Sequence, residues 1–466
     1  MRFDVVVVGA GSAGCVLAAR LSENSNRSVL LVEAGPDYGP YDPVQWPKAL
    51  QDPVPVHDSH DWQIRNEADG RGRAVRLARG RVMGGSSTTN GANWVRGAPD
   101  DYDEWAAQGI PGWSFSDLLP HFNRVEADPD FGPPWHGQGG PVPLGVGISP
   151  KNMRNGVRWN AAFAYLDPAR PRTNLNLWPL HLADRFALRS GKAVSMRVLG
   201  PAGEQAVEAE RFVVAAGAYC SPALLLRSGV GPPDDLRGLG IPPRVPLPGV
   251  GQGLMDHARV EFELPAPEGP PPASRRQLHG KARSRECQGD FDLHFCPTES
   301  FSQNGQRLWR CAVCLLTCAS RGTVRLSSAD PTAPPSVDHR YLNDPADRAA
   351  LADGILLLAD ILGTEAGRRL CPGHPVESLT GSRRPSQGDL ERILLERYVT
   401  YAHPCGTCRM GPPGDPLAVV DATGRVHGLD NVYVADAAVF PVIPRANLNW
   451  TCMAVAEAIA ARLAGL

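Results

Sequence analysis

The stretch VVVVGAGSAGCVLAARLS, residues 5–22, decides the fold of this chain. Its four valines predict a buried strand, and the small residues after them predict a helix that begins at about Ala13. Between them lie Gly9, Gly11 and Gly14, at the spacing that lets a backbone turn tightly and approach a pyrophosphate. The amides at the start of the helix would point at the phosphates. The stretch therefore predicts a dinucleotide site.

A second apolar run completes a βαβ unit, in which a helix connects two parallel strands. It extends from Ser28 to Val32, predicts a second strand, and ends in Glu33. An acidic residue about 20 residues beyond the glycines is typical of a carboxylate that accepts hydrogen bonds from ribose hydroxyls. The glycines alone would be a weak signal. The strand, the glycines, the helix, the second strand and the acidic residue together indicate nucleotide binding. The motif does not by itself separate NAD from FAD.

The composition narrows the class of partner. The chain has 466 residues, which favours two or three structural units, and its 47 Lys and Arg against 49 Asp and Glu give a net charge of -2. This balance gives no reason to expect nucleic acid or an anionic membrane surface as a partner, so we expect a small-molecule substrate. No apolar run is long enough to span a bilayer, and no secretory signal precedes the first strand, so we expect a cytoplasmic protein.

The cysteines favour a reducing environment. Eleven of them are scattered along the chain without the framework of a small disulfide-rich domain, so we expect reduced thiols. Cys311, Cys314 and Cys318 lie in an apolar stretch that offers no fourth ligand nearby, so we expect no metal or cluster. Cys405 and Cys408 form a CxxC pair, which leaves open an interpretation as a disulfide switch.

Later patterns in the sequence predict further strands and helices of the nucleotide-binding unit. Alternating apolar residues from 174 to 214 predict a meander that ends in a strand at 211–215, and a helix follows with Ser221 as its N-cap. Residues 431–436 predict another strand, and residues 449–463 predict the last helix.

Three further motifs accompany the opening stretch. They are GRVMGGSSTTNG at 80–91, GAYCSPALLLRSGVG at 217–231 and HPCGTCRMG at 403–411. Asp436 and the tripeptide Asn447-Leu448-Asn449 follow them. Together, and over nearly the whole chain, these motifs resemble those of the glucose-methanol-choline (GMC) family of FAD-dependent oxidoreductases.

The resemblance implies an architecture. The fold class would be α/β + α+β, with a Rossmann-like FAD-binding domain and a discontinuous second domain that binds substrate on an antiparallel sheet. The FAD-binding domain would comprise residues 1–140, 174–258 and 403–466. The substrate-binding domain would comprise residues 141–173 and 259–402.

The resemblance also implies which residues bind FAD. Glu33 would hold the adenosine ribose, Asp436 would contact the ribityl and phosphate region, and Trp450 would lie at the pyrimidine edge of the ring. Thr89 stands where members that bind FAD covalently carry a histidine, so we expect non-covalent FAD. The full expected set is Gly9, Gly11, Gly14, Glu33, Ala34, Gly84, Ser87, Asn90, Gly91, Asn93, Ala183, Asp436, Ala437, Trp450 and Thr451.

The chemistry implied is oxidation of an alcohol CH–OH group by hydride transfer to flavin N5. His403 would take the hydroxyl proton, because an imidazole is largely neutral near pH 7.5. Asn449 stands where other members carry a second histidine, and its amide would hold the substrate oxygen.

Three questions stay open at this point. The electron acceptor is either oxygen or a redox partner such as a quinone or a mycofactocin-type acceptor. A hydroxynitrile-type lyase that keeps an idle flavin, or a flavin-binding protein without catalysis, are further alternatives. The sequence names neither the alcohol nor the oligomeric state.

Overall fold

Two β-sheets organise the chain. The computed structural model describes residues 1–465 except 57, 69–72, 144–149, 267–278, 303 and 371–374. The strands of the two sheets are β1 (Arg2–Val8), β2 (Val29–Val32), β3 (Leu175–Trp178), β4 (Leu182–Arg189), β5 (Lys192–Gly200), β6 (Gly203–Val214), β7 (Ala258–Pro265), β8 (Gly280–Ala282), β9 (Leu293–Phe301), β10 (Arg307–Leu315), β11 (Tyr398–Thr400) and β12 (Val432–Val434). The longer helices are α1 (Ser12–Leu21), α2 (Pro99–Ala107), α3 (Phe115–Val125), α4 (Gly217–Arg227), α5 (Pro233–Gly238), α6 (Pro345–Gly363), α7 (Glu365–Leu370), α8 (Pro375–Thr380), α9 (Gln387–Arg397) and α10 (Leu448–Ala464).

Shorter elements connect these. Helical turns occupy Lys48–Gln51, Gly85–Thr88, Ala162–Leu166, Asp167–Ala169 and Ala437–Val439, and short strands occupy Glu126–Ala127, Val142–Pro143, Met153–Arg154, Val157–Arg158, Val230–Gly231, Val245–Pro246, Gln252–Leu254, Gly322–Arg325 and Ser336–Asp338.

The first sheet has seven strands. Their order is β3-β2-β1-β6-β5-β4, and β12 also pairs with β6. The pairs β1–β2, β2–β3, β1–β6 and β6–β12 are parallel, whereas β4, β5 and the first part of β6 form an antiparallel meander. Val5 to Val8 are at most 4% exposed, so each contributes roughly 1.5–3 kcal/mol of hydrophobic stabilisation. This sheet confirms the predicted βαβ unit.

The carboxyl ends of the parallel strands meet at one edge of the sheet. Gly9 follows β1, Glu33 follows β2, Ala215 follows β6, and Asp436 lies two residues beyond β12. In open α/β sheets, ligands bind at this edge. The fold therefore brings the ends of four strands to one place.

Helix α4 begins earlier than the sequence predicts. Ser221 was expected to cap this helix, but the helix begins at Gly217 and Ala216 holds the N-cap position. The Ser221 hydroxyl instead accepts a hydrogen bond from the amide of Ala216 and donates one to Asp436 Oδ2 at 2.6 Å. The prediction was wrong because this partner lies 215 residues away.

The strand before α4 is longer than predicted. It was expected at 211–215, but β6 extends from Gly203 to Val214. Its first half pairs with β5 and its second half with β1, so one strand joins the meander to the parallel sheet.

The second sheet is antiparallel and has its own core. Its strand order is β8-β9-β10-β7-β11, and α6 and α9 contribute leucines and isoleucines to the apolar cluster beside it. β7 begins directly after Asp256 and His257, and β11 ends three residues before His403. The second sheet therefore places His257 and His403 at its junction with the first sheet. The mixed α/β fold with an added antiparallel sheet is confirmed.

The predicted domain boundaries remain a proposal. Residues 141–173 were assigned to the substrate-binding domain, but Ala161, Tyr165, Leu166 and Ala169 pack in the same apolar cluster as β1 and α1. We therefore propose that this part of the segment belongs with the FAD-binding domain.

Candidate active site

A cavity of about 980 Å³ lies at the carboxyl edge of the first sheet and reaches the second sheet. The glycine loop after β1 lines this cavity, as do His403 and Tyr401. Of the residues expected at FAD and substrate, those that line the cavity are Gly9, Gly11, Glu33, Ala34, Asn90, Gly91, Asn93, Ala183, Asp436, Ala437, His403 and Asn449.

The glycine loop has the form of a pyrophosphate cradle. Gly9 has φ +93°, which a side chain would strain, and a Cβ on Gly14 would lie 1.8 Å from the carbonyl oxygen of Gly9. A Cβ on Gly11 would meet no atom within 4 Å, because this position faces the cavity. No side chain caps α1, so its first amides are free for phosphate oxygens. These features fit the FAD pyrophosphate.

Glu33, which follows β2, holds the glycine loop through hydrogen bonds. Its carboxylate accepts hydrogen bonds from the amides of Ala10 and Gly35, each at 2.8 Å. Burial raises the pKa of Glu33 to about 7, although these bonds act in the opposite direction. Since Glu33 also lines the cavity, its carboxylate is placed to meet ribose hydroxyls.

Asp436 connects α4 with the turn after β12 at the carboxyl edge of the first sheet. Its Oδ2 accepts hydrogen bonds from the Gly217 amide at 2.8 Å and from Ser221, and its Oδ1 accepts one from the Ala438 amide at 2.7 Å. The carboxylate is thus fixed between α4 and the turn after β12.

Three expected cofactor residues lie behind the lining. Gly14 packs against the loop as described above. Ser87 donates to the carbonyl of Gly84 at 2.6 Å and accepts from the amide of Ala161 at 3.0 Å. Gly84 has φ +92° and starts the turn at Gly85–Thr88. The structure therefore gives Gly14, Gly84 and Ser87 a supporting place around the cavity.

Trp450 and Thr451 do not reach the cavity. The Trp450 indole stacks on Trp94 at a centroid distance of 5.1 Å, and the Thr451 hydroxyl bonds to the Tyr102 hydroxyl at 2.8 Å. The first turn of α10 directs both side chains into the core formed with α2 and α3, and the expected contact of these residues with the flavin ring stays a prediction.

His403 is held on three sides. Its amide donates to Asp256 Oδ1 at 2.7 Å, its Nδ1 lies 2.9 Å from His257 Nδ1, and its Nε2 lies 3.1 Å from Asn447 Nδ2. The ring centroid of Tyr401 is 4.5 Å away. The side chain thus has one orientation at the cavity wall.

Electrostatics keep His403 neutral. Burial, the neighbouring His257, and the charges of Arg79 and Arg259 lower the pKa of His403 well below its usual value. An amide nitrogen can only donate, so His403 Nε2 accepts from Asn447 and carries the lone pair. His403 Nδ1 therefore carries the proton and donates to His257. This is the protonation state that a general base requires.

Asn447, not Asn449, is the partner of His403. Asn449 Oδ1 accepts a hydrogen bond from Ser12 at 2.6 Å, on the glycine-loop side of the cavity, and its buried Nδ2 has no partner among the described residues. Asn447 precedes α10, whereas Asn449 is its second residue. Asn449 thus lies beside Ser12 rather than beside His403, and its unpaired donor fits an acceptor on FAD, so its expected role at the substrate oxygen stays a prediction.

Sequence reasoning also missed His257 and Asp256. Asp256 accepts hydrogen bonds from Tyr341 and Thr400, each at 2.6 Å, in addition to the amide of His403. These residues carry no motif of their own, and their signal was only their position at the start of β7.

The CxxC pair does not have the properties of a reactive switch. Cys405 and Cys408 are free and buried, and burial raises the pKa of both thiols well above the usual value. Their amides bond to the carbonyls of Met255 and Ala438, which fixes the backbone after His403.

The fold and site thus define an FAD-binding protein of the oxidoreductase type. The family models for GMC oxidoreductases match the chain at residues 3–152 and 137–259 for the N-terminal part and 319–456 for the C-terminal part. The chain belongs to the GMC oxidoreductase family and is an FAD-dependent oxidoreductase of the alcohol-oxidising class.

Relatives of known name agree with this assignment. Oxygen-dependent choline dehydrogenase from Brucella anthropi is 32% identical over 98% of this chain and 94% of its own length. The enzyme of the same name from Chromohalobacter salexigens is 34% identical over 100% of this chain and 95% of its own length. The crystal structure of pyridoxine 4-oxidase from Mesorbium loti superposes with a TM-score of 0.90 at 30% identity, over 99% of both chains. Among the described helices, none has the length and apolar character needed to cross a membrane.

Proposed function

We propose that His403 is the general base and Asn447 the oxygen clamp of an alcohol oxidation. The observation that carries this proposal is the contact between His403 Nε2 and Asn447 Nδ2 at the wall of the cavity. FAD, when bound, accepts the hydride from the carbinol carbon. The substrate hydroxyl replaces the Asn447 amide at His403 Nε2, whose lone pair then accepts the hydroxyl proton, and general base catalysis of this kind contributes on the order of 10²–10⁴ in rate.

Asn447 and α10 support the same step. The Asn447 amide donates to the substrate oxygen, so that the hydroxyl is fixed between two side chains. No side chain caps α10, so its free amides stabilise negative charge at its N-terminus. The buried wall around His403 restricts water, which keeps the base neutral.

The experiment is an anaerobic titration of the FAD-loaded enzyme with neutral, acidic and amino alcohols, followed by the flavin absorbance. We expect bleaching of the wild type, whereas His403→Ala should retain FAD and bleach about 10²–10⁴ times more slowly. Unchanged bleaching in His403→Ala would refute the assignment. Turnover of a cyanohydrin with a flavin that stays oxidised would favour a lyase.

We propose oxygen as the electron acceptor and non-covalent attachment of FAD. The names of the choline dehydrogenases, which are oxygen-dependent, and of the oxidase support the first point. Thr89, which lines the cavity, supports the second, because threonine cannot form the histidyl link. An oxygen electrode with and without an artificial acceptor tests the acceptor, and acid precipitation should release all the yellow colour. The expected cytoplasmic location remains a prediction for cell fractionation.

The charges near His403 suggest a class of substrate. Arg79 and Arg259 both line the cavity, and both charges act on His403. Arg259 pairs with Glu261 at 2.9 Å, and its guanidinium lies 5.3 Å from the Tyr401 ring. We therefore propose a neutral or anionic alcohol rather than a quaternary ammonium alcohol.

A further inference from the structure

A second cluster of reactive side chains lies in the second sheet beside Tyr401. His294 and Cys296 are two residues apart on β9, so both side chains point to the same face. β8 pairs with β9 in a register that matches Gly280 to Phe295, which places the preceding His279 beside Cys296. The fold thus brings His279, which directly precedes β8, next to the imidazole and the thiol on β9.

The donor atoms converge. One ligand atom each from His279, His294 and Cys296 lies within 4.8 Å of the others. Cys296 Sγ is 3.2 Å from His294 Nε2, close to the roughly 3.5 Å that separates nitrogen and sulfur donors around a tetrahedral zinc ion. The rings of His279 and His294 meet edge to face at a centroid distance of 4.6 Å. We propose that His279, His294 and Cys296 form a binding site for a zinc-class divalent metal ion.

The chemistry of Cys296 suits a metal ligand. The Cys296 Sγ lies next to His294 Nε2 and the Tyr401 hydroxyl, and the side chain lines the cavity rather than packing against apolar side chains alone. The thiolate is the form that binds metal, so the thiol would release its proton on binding.

The site opens toward the cavity. Cys296 and His279 both line the cavity that contains His403, while His294 is buried behind them. Three protein ligands with an open fourth position are the pattern of zinc sites that bind a further group. The Tyr401 hydroxyl lies 3.3 Å from both Cys296 Sγ and His294 Nδ1, and its ring contacts His403. The metal would thus bind a second donor atom of a molecule whose hydroxyl is at His403.

The CAVCLLTC stretch is not this site. The sequence presented Cys311, Cys314 and Cys318 as a closely spaced group, and we expected no metal there. The proposed ligands include none of these three, since strand pairing rather than spacing assembles the set.

Cobalt binding to the reduced holoenzyme tests the proposal. The FAD-loaded protein, treated with a chelator and kept under reductant, is titrated with Co²⁺ and followed at wavelengths beyond the flavin absorption, where tetrahedral Co²⁺ absorbs. Metal analysis after addition of Zn²⁺ gives the stoichiometry. We expect one equivalent of either ion per chain, with Zn²⁺ displacing Co²⁺ and its colour.

Variants separate the site from adventitious binding. Cys296→Ser and His279→Gln should each lose the long-wavelength Co²⁺ absorbance and the bound equivalent. Cys287→Ser should keep both, since the Cys287 thiol bonds to the carbonyl of Gly289 and is not among the proposed ligands. FAD content and melting temperature verify that each variant folds. Absence of the cobalt spectrum in the reduced wild type, or its retention in Cys296→Ser, would overturn the proposal. Neither result bears on His403 as base.

Discussion

The imidazoles of His257 and His403 meet edge to face, with 2.9 Å between their Nδ1 atoms. They come from opposite sides of the junction between the two sheets, since His257 precedes β7 and His403 follows β11. Burial lowers the pKa of His257 to about 3, and a proton on either imidazole disfavours one on the other, so both rings are neutral in the active form and His257 accepts the hydrogen bond from His403 Nδ1. The pair fixes both the orientation and the tautomer of the proposed base.

Replacing His257 should lower kcat and also shift the pH dependence of kcat/KM. In His257→Asn, the base loses its orienting acceptor, and we expect kcat to fall on the order of 10²-fold, the loss typical of a misplaced catalytic group. His257 lowers the pKa of His403, so its removal raises that pKa. The base is active only when neutral, so the acidic limb of kcat/KM should move to higher pH.

The control for this variant is His427→Asn. His427 bonds to the carbonyl of Gly411 and lies outside the cavity lining, so its replacement should leave the profile unchanged. A fall in kcat for His257→Asn with the acidic limb unmoved would indicate a packing defect and contradict the proposed coupling.

The two asparagines of the last motif should have separable effects. Asn447→Ala removes the contact with His403 Nε2, so we expect flavin reduction to slow on the order of 10²-fold with FAD content preserved. Asn449→Ala removes the bond to Ser12 at the glycine loop, so we expect weaker FAD retention and a smaller effect on reduction. Stopped-flow reduction and FAD-to-protein ratios measure both. The opposite pattern would support the role expected for Asn449 from the sequence.

Gly11→Ala separates cofactor binding from folding. The added methyl meets no protein atom within 4 Å and points into the cavity, where the pyrophosphate is expected. Since Gly11 has φ -75°, alanine fits the backbone without strain. We expect the purified variant to lack FAD, while the melting temperature of the FAD-free protein stays that of the FAD-free wild type.

Gly139→Ala is the matched control, because this exposed glycine is also free of neighbours within 4 Å. It should retain FAD. If Gly11→Ala binds FAD as tightly as the control, the pyrophosphate does not lie against the loop.

Local patterns predicted the elements that hold the adenosine end of the cofactor. The valines of β1, the glycine loop and Glu33 follow one another within about 30 residues, so periodicity and spacing describe them almost completely. The same is true of α10, which was expected at 449–463 and extends from Leu448 to Ala464.

Long-range contacts account for what the local patterns missed. Ser221 has the local features of an N-cap, yet its partner is Asp436, and Trp450 turns to Trp94 because of how α10 packs. The choice between Asn447 and Asn449 depended on where α10 begins to within one residue, which is the least reliable part of a sequence-based prediction. His257 could not be found at all, since strand pairing alone brings it to His403.

The charge of the preferred alcohol is the last prediction. Arg259 is half-buried beside Tyr401, and its positive charge acts on His403. A quaternary ammonium group there would be repelled, whereas a carboxylate could pair with the guanidinium. We therefore expect kcat/KM for choline to be at least about tenfold below that for a hydroxy acid of similar size, a difference of about 1.4 kcal/mol. Arg259→Gln should reduce this preference, and Arg285→Gln, which removes an ion pair to Asp353 outside the cavity lining, should not. If choline is the better substrate of the wild type, Glu261 rather than Arg259 determines the substrate charge, because the Arg259–Glu261 pair then presents its carboxylate to the substrate.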